Sequence, residues 1–339
     1  MPKLWVMPLS HHYSRTGRSR CQSAAVDLRF PDAAPGAALY ESVYAVLSPP
    51  EGDRALWVRT TVRKLPDEEP TGAVWVTWTS PDGVRAAKVG ALPVQPGGHG
   101  IDVEDATQGP SGSSGRVDLP SLAARWDLRF TSDETLMRHL RPSWLYGAPL
   151  PRTKSTSPLP DLRVEGTLEV DGEPVDLTGW TGMLGHNWGT EHAARWIWLR
   201  AAGLGDDGRG WLDAVLARVR VGPVLTPWTG FGTLSLDGHR HALGGLGSRR
   251  TDVVLRPDGA DVTLAGHGVR LTAAAGVDLR RTVGWRYADP GGGGHEVANC
   301  SVATVSLDLG GRTLTARSGV LEVGGDEIAF DVALQPFAD

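Results

Sequence analysis

Lysine is almost missing from this chain. Lys3, Lys64, Lys88 and Lys154 are the lysines among 34 basic residues, the other 30 being Arg, and 39 acidic residues bring the net charge to −5. No concentrated basic face can be built from that balance, which argues against a nucleic-acid partner. The excess of Arg fits genome base composition better than a demand for guanidinium chemistry. Cysteine is scarce too: Cys21 and Cys300 are too few and too far apart for the framework of a disulfide-stapled secreted domain, and free thiols in a reducing compartment fit better. No apolar run approaches the roughly 18 residues of a transmembrane helix. The stretch from Met1 to Pro8 is too short and too broken by proline for a signal-peptide core. A cytoplasmic chain with no integral membrane segment is expected.

Phe and Tyr are sparse as well, at five each, against 13 Trp. Indole is large, apolar over its body and polar at one nitrogen, so many Trp suit a barrel or cleft that must be lined rather than filled. A hydrophobic content of 40% with 22% charged residues excludes disorder, and 339 residues suit two domains or one large all-β unit.

Period-two patterns dominate. Leu56 to Arg63 and Ala73 to Thr79 read as strands, the second ending at Pro81-Asp82-Gly83. Leu162 to Val170 leads into Asp171-Gly172 as one arm of a hairpin. Similar turns follow Leu234-Ser235-Leu236, Val253 to Arg256 and Ser306 to Leu309. Asp133 to Leu140 is expected to form a short helix with Asp133 at its N-cap, and Thr190 to Ala194 one helical turn. The Gly-rich segments from Gln95 to Gly115 and from Ala288 to Gly294 read as mobile loops. With 44 Gly and 24 Pro spread along the chain, the expected class is all-β: two β-barrels or sandwiches with few short helices. The boundary is placed at the end of the Trp-rich motif, giving an N-terminal domain at 1–195 and a C-terminal domain at 196–339.

That motif, Gly182 to Trp198, concentrates three Trp, two His, Glu191, Asn187 and Arg195 in 17 residues. Packing alone rarely asks for such a mixture, because each buried polar group needs a partner. His186 and His192 stand six apart rather than at the i, i+4 spacing of a helical zinc site, so no metal is expected. No strained Ser elbow and no strand–Gly-rich turn–helix unit occurs, which removes nucleophilic hydrolysis and dinucleotide binding. Acid–base work in an aromatic chamber remains. Glu191, walled by Trp188, Trp196 and Trp198, would be poorly solvated and could hold its proton near neutrality. His186 could instead be the donor or relay. Alternatively Glu191 and Arg195 form an ion pair on a helical turn, and Asn187 holds the turn between Gly185 and Gly189.

In the strand Tyr40-Glu41-Ser42-Val43-Tyr44, Glu41 and Val43 share one face. Glu41 is then either a second buried carboxylate or a solvent-facing one. Trp75 and Trp78 point to opposite faces, so at most one of them lines a cavity. Trp188, Asn187, His192, Trp196 and Trp198 are candidate binding residues, as are Trp75 and Trp228. Asp213, sharing a face with Trp211, is a weaker acid candidate.

At Gly185-His186-Asn187-Trp188-Gly189 the chain resembles the AttH/hydroxyneurosporene synthase-like superfamily of tandem lipocalin-type barrels. Its relatives include carotenoid hydratases, tocopherol-cyclase-like proteins and lipocalin-fold Diels–Alderases. Tyr40 to Tyr44, Ala55 to Arg59, Ala73 to Trp78, Ser157 to Pro160 and the Trp-x-Trp pair at 196–198 carry the likeness further, over roughly residues 39–200. The chain has His186 where the hydratase pattern has Asp. The resemblance implies two barrels side by side, a ligand cavity near their contact, and no redox cofactor. It also implies an isoprenoid or polyketide-like hydrophobic substrate of secondary metabolism, which is hydrated, isomerised or cyclised. A non-catalytic carrier of an apolar small molecule is the alternative, and a structural protein with Trp mostly in its core a third. Oligomeric state has no signature in the sequence.

Overall fold

The computed structural model describes residues 26–98, 100–246, 251–266, 268–326, 328 and 330–337. The first half is built from β1 (Leu39–Ser48), β2 (Ala55–Lys64), β3 (Thr71–Ser80) and β4 (Gly83–Pro96). It continues with β5 (Ile101–Val103), β6 (Ala106–Gly109), β7 (Gly112–Leu119) and β8 (Leu122–Thr131). After the two-residue β9 (Met137–Arg138) come β10 (Thr153–Val170), β11 (Glu173–Pro174) and β12 (Thr181–Gly189). Strands β1 to β8 pair in sequence, β12 pairs with β1, and β10 bridges β12 to β8, which closes a ten-stranded antiparallel barrel. Closure leaves the ring without open sheet edges. Alternation sends Val43, Ala45 and Leu47 of β1 inward with Val58, Val76, Leu128 and Leu184, around Trp78, Trp126 and Trp180.

The second half comprises β13 (Arg195–Leu204), β14 (Gly210–Arg218), β15 (Arg220–Val221), β16 (Val224–Leu225), β17 (Thr229–Leu236) and β18 (His239–Gly244). Then follow β19 (Asp252–Arg256), β20 (Gly259–Gly266), β21 (Val269–Gly276), β22 (Val283–Ala288), β23 (Gly294–Cys300), β24 (Thr304–Asp308), β25 (Thr313–Thr315) and β26 (Ser318–Gly325). They form a seven-stranded sheet, β18-β17-β14-β13-β26-β23-β22, a five-stranded sheet, β19-β20-β21-β24-β25, and the separate hairpin β15-β16. The two sheets close over a core of Leu, Val and Ala, with Leu199, Leu216, Leu264 and Leu307 fully buried. The class is all-β, and among the described residues helical structure is confined to three short 3-10 segments.

Neither interior holds most of the aromatic residues. A third cluster lies between the halves: Tyr44, Trp57, Trp75 and Met183 from the ring meet Trp198, Trp285, Tyr287 and Val297 from the seven-stranded sheet. Trp75 stands edge-on to Trp285 and Tyr287 at 5.0 and 5.7 Å, and Tyr44 edge-on to Trp198 at 5.2 Å. Such edge-to-face contacts add to the burial of area itself. They also explain why β1 and β3 are buried on both faces: the second half covers the outside of the ring.

Several expectations are corrected. Residues 133–140 are extended, because pairing β9 with β10 buries Met137 against Ala202 and Trp211, and Asp133 pairs with Arg163 instead of capping a helix. Thr190 to Ala194 is a non-helical connection between β12 and β13. The segment from Gln95 to Gly115 is no loose loop but supplies β5, β6 and the start of β7 to the ring. Cys300 is a buried free thiol, and Cys21 lies outside the described residues.

Polar pins cross the same layer. The Asp213 carboxylate on β14 accepts from Trp198 Nε1 at 2.9 Å and from Ser157 Oγ of β10 at 2.5 Å, and His139 Nε2 lies 3.2 Å away. Arg200 donates to the carbonyls of Pro160 and Gly182 at 2.6 and 3.0 Å. Burial alone would raise the pKa of Asp213, but the charge and hydrogen bond of His139, then Arg200 and Ser157, hold it at about 2. A depressed folded-state value stabilises the fold above the ordinary carboxylate pKa, and that contribution is lost as pH falls towards 2. Asp213→Asn should therefore cost about 2–4 kcal/mol at neutral pH. In urea denaturation the gap from the parent should narrow as pH drops from about 4 towards 2; a gap that stays constant would count against this role.

Candidate functional site

A cavity of about 520 Å³ opens within the layer between the halves. Its walls include Tyr44 and Trp57 of the ring, and Trp196, Trp198 and Phe231 of the seven-stranded sheet, with the segment from Leu140 to Thr153 along one side. At its mouth Trp144 and Leu246 are 61% and 53% exposed, an apolar rim to an apolar chamber. The volume is in the range of small-molecule sites.

Strand alternation splits the central motif. On β12, Leu184 and His186 point into the ring, while Met183 points into the layer between the halves and Asn187 lines the cavity. His186 Nε2 lies 2.7 Å from Glu41 Oε1, and Glu41 is fully buried. The same carboxylate accepts from the backbone N–H groups of Arg29 and Phe30 at 2.8–2.9 Å. Trp188 stacks on His186 at 4.6 Å and carries the Arg29 guanidinium on its ring at 5.2 Å. Glu41 therefore takes the buried alternative, and this group ties the segment before β1 to the ring; none of the three residues borders the cavity. Asn187 holds no turn, since residues 185–189 are strand; its Oδ1 accepts from Ser42 Oγ at 2.6 Å.

Glu191 does line the cavity, but it is not enclosed by indoles. Its side chain is 42% exposed and pairs with Arg152 rather than Arg195, because residues 190–194 are not helical. His192, Trp196 and Trp198 also line the cavity. Trp75 packs in the aromatic layer with Nε1 bonded to Thr61, and Trp228 packs against the second core, so neither reaches the cavity wall.

His192 is the best-supported group in the site. Its Nδ1 lies 2.6 Å from Asp289 Oδ1, which also accepts its backbone N–H at 2.8 Å, and the other oxygen of Asp289 meets His295 Nε2 at 2.9 Å. Tyr40 covers one face of the imidazole at 4.1 Å, nearly parallel, and Trp196 stacks at 5.6 Å. With Nδ1–H given to the carboxylate, Nε2 keeps the lone pair, and it is buried with no partner among the described residues. Burial lowers the His192 pKa, against the pull of Asp289. For Asp289 burial acts upwards, but its bonds to His192 and His295 hold the carboxyl far below the usual range. The ring is thus neutral near pH 7 beside an ionised carboxylate.

His192, Asp289 and His295 have ligand atoms within 4.8 Å of one another, which invites a metal. Donors on one zinc ion, each about 2.0–2.1 Å from it, stand roughly 3.3 Å apart. Nitrogen–oxygen separations of 2.6 and 2.9 Å fit a shared proton instead.

The sequence reading passed over four groups here. Asp289 sits in the Gly-rich turn, where nothing marks it. Glu322, on β26, lines the cavity and accepts from Trp196 Nε1, Tyr287 Oη and Asn299 Nδ2 at 2.9–3.2 Å. Tyr287 and Arg59 complete the wall; alternation from Trp57 places Arg59 on the same face, a signal that was legible.

No protein-family model matches the chain. Two uncharacterized proteins of Mycobacterium tuberculosis, from strains CDC 1551 and H37Rv, are 28% identical to it over 300 residues, covering 83% of this chain and 84% of theirs. Among solved structures, CghA superposes with a TM-score of 0.61 at 13% identity, over 86% of this chain and 90% of that one. CghA with Sch210972 gives 0.60 at 14% identity, over 86% and 89%. A candidate AttH from Nitrosomonas europaea gives 0.50 at 16% identity, over 89% and 98%. The lipocalin-like fold implied by the central motif is the fold these chains share.

Removing the carboxylate with Glu41→Ala should lower stability by about 3 kcal/mol or more, since it strands two backbone donors and an imidazole. Quenching of Trp fluorescence by cavity ligands should persist in the folded variant. Equal denaturation midpoints for variant and parent would remove Glu41 from this role.

Proposed function

We propose that this chain is a cofactor-independent enzyme that transforms a largely apolar small molecule, isoprenoid or polyketide-like, in the cavity between its two halves. The reaction is a hydration, isomerisation or cyclisation with proton transfer through His192. The observation that carries this reading is the His192–Asp289 pair at an aromatic cavity wall, its Nε2 buried and unpartnered. A carrier of greasy ligand gains nothing from burying such a pair.

Physical chemistry assigns the roles. Asp289 fixes the tautomer and orients the ring, as an orienting carboxylate does in other His-based sites. The neutral Nε2 accepts a proton from substrate or water. Once protonated, the imidazolium is poorly solvated and is a strong acid, so it returns the proton to the product. Burial keeps the Tyr44 hydroxyl protonated well above its ordinary pKa, which leaves it a hydrogen-bond donor at the cavity wall. The aromatic walls fold a flexible substrate and lower the entropy cost of cyclisation. Glu191, solvated and paired with Arg152, is a rim residue in this scheme. CghA, which shares the fold, has been solved with Sch210972, and this agrees with a small-molecule site.

Product analysis with a panel of isoprenoid and polyketide-type polyenes tests the reading. His192→Gln should cut turnover by about 100-fold or more while substrate still quenches Trp fluorescence. Glu191→Gln should change turnover by no more than about threefold, as expected of an exposed ion pair. Because the His192 pKa is lowered, the base form should be lost only below the ordinary imidazole value of 6.5. Ligands that bind the parent and emerge unchanged would make the protein a carrier.

A further inference from the structure

Arg59 is buried to 5% exposure on β2, yet among the described residues its side chain makes no hydrogen bond and no ion pair. Its guanidinium lies over the Tyr287 ring at 4.2 Å and over Trp75 at 5.4 Å. Stacking of this kind covers the faces of a guanidinium, whereas its N–H donors radiate in the plane and need acceptors at the edge. Glu322 in the same wall is already engaged by Trp196, Tyr287 and Asn299, and Asp289, bonded to the wall residue His192, by His192 and His295. A desolvated cation with free in-plane donors is costly unless something completes it. Arg59 lines the cavity, so the missing acceptor belongs to whatever fills it.

We propose that Arg59 is a binding site for an anionic oxygen group, so that the ligand is an amphiphilic organic acid: a carboxylate, sulfonate or enolate oxygen on an otherwise apolar body. The proposal rests on the cavity being a small-molecule site and narrows the substrate class. The planar fork suits two oxygens or one delocalised anion, and the aromatic stack holds the fork rigid before ligand arrives. Neutral polyenes lacking such a group fit the walls but leave Arg59 uncompensated.

A matched pair of fluorescent probes tests it. Anilinonaphthalenesulfonate carries a sulfonate; N-phenylnaphthylamine has the same aromatic body without it. The parent protein should bind the sulfonate about tenfold or more tightly than the neutral probe, the worth of one charge-assisted hydrogen bond in a dry site. Arg59→Gln should erase that preference and leave the neutral probe's affinity unchanged. Arg59→Lys, which keeps the charge on a different shape, should retain part of it; Arg220 also borders the cavity but is half-exposed and paired with Asp326, so Arg220→Gln should retain all of it. Equal affinities in the parent, or a preference surviving in folded Arg59→Gln or lost in Arg220→Gln, would overturn the assignment to Arg59. Binding of the neutral probe alone would sink the anion site but spare the cavity; binding of neither would sink both.

Discussion

The aromatic layer between the two halves is the contact on which everything else depends. Tyr44, Trp57, Trp75, Trp198, Trp285 and Tyr287 are large enough to bridge two curved surfaces that could not otherwise meet, and curved surfaces leave a gap where they diverge. That gap is the cavity. Tyr44, Trp57, Trp198 and Tyr287 thus hold the halves together and wall the cavity, so stability and cavity shape draw on one set of rings.

Two indole N–H groups of this layer are met by carboxylates, Asp213 for Trp198 and Glu322 for Trp196, and Trp75 gives its N–H to Thr61, while Trp57 and Trp285 have no Nε1 partner among the described residues. Each carboxylate is in turn loaded with further donors. Two of the ionisable groups in the layer are thus tied to its packing through Trp196 and Trp198. Gly324 and Gly185 show how close that packing is, since a Cβ at either would fall 2.1–2.2 Å from the ring of Trp196 or Tyr44.

The all-β class, the hairpins and the faces of β1 and β3 were legible because alternation and turn residues act locally. Glu41 and Val43 on one shared face are an example, as are Trp75 and Trp78 on opposite ones, whereas alternation alone leaves open which way the face of Glu41 points. Reading failed where long-range pairing decided the outcome. Residues 133–140 have a helix-like start, yet β9 gains more by pairing with β10. The Gly-rich stretch after Gln95 looks loose but is pinned in the ring. Of the central motif, His192, Asn187, Trp196 and Trp198 come to lie on the cavity wall. The strand period that sends His186 and Trp188 to the other side was available; the assumption of a turn at 185–189 concealed it. Asp289 and Glu322 come from strands and turns over ninety residues downstream, and no local pattern joins them to His192.

The division of β12 into two faces has a consequence for how such a protein diversifies. Odd-numbered positions such as Asn187 meet the cavity or the layer around it, while even-numbered ones such as His186 lock the ring together. Cavity lining and architecture are written on alternate letters of one short strand. Selection can rewrite the first set for a new ligand while leaving the second untouched, and relatives sharing the scaffold are free to part company in their chemistry.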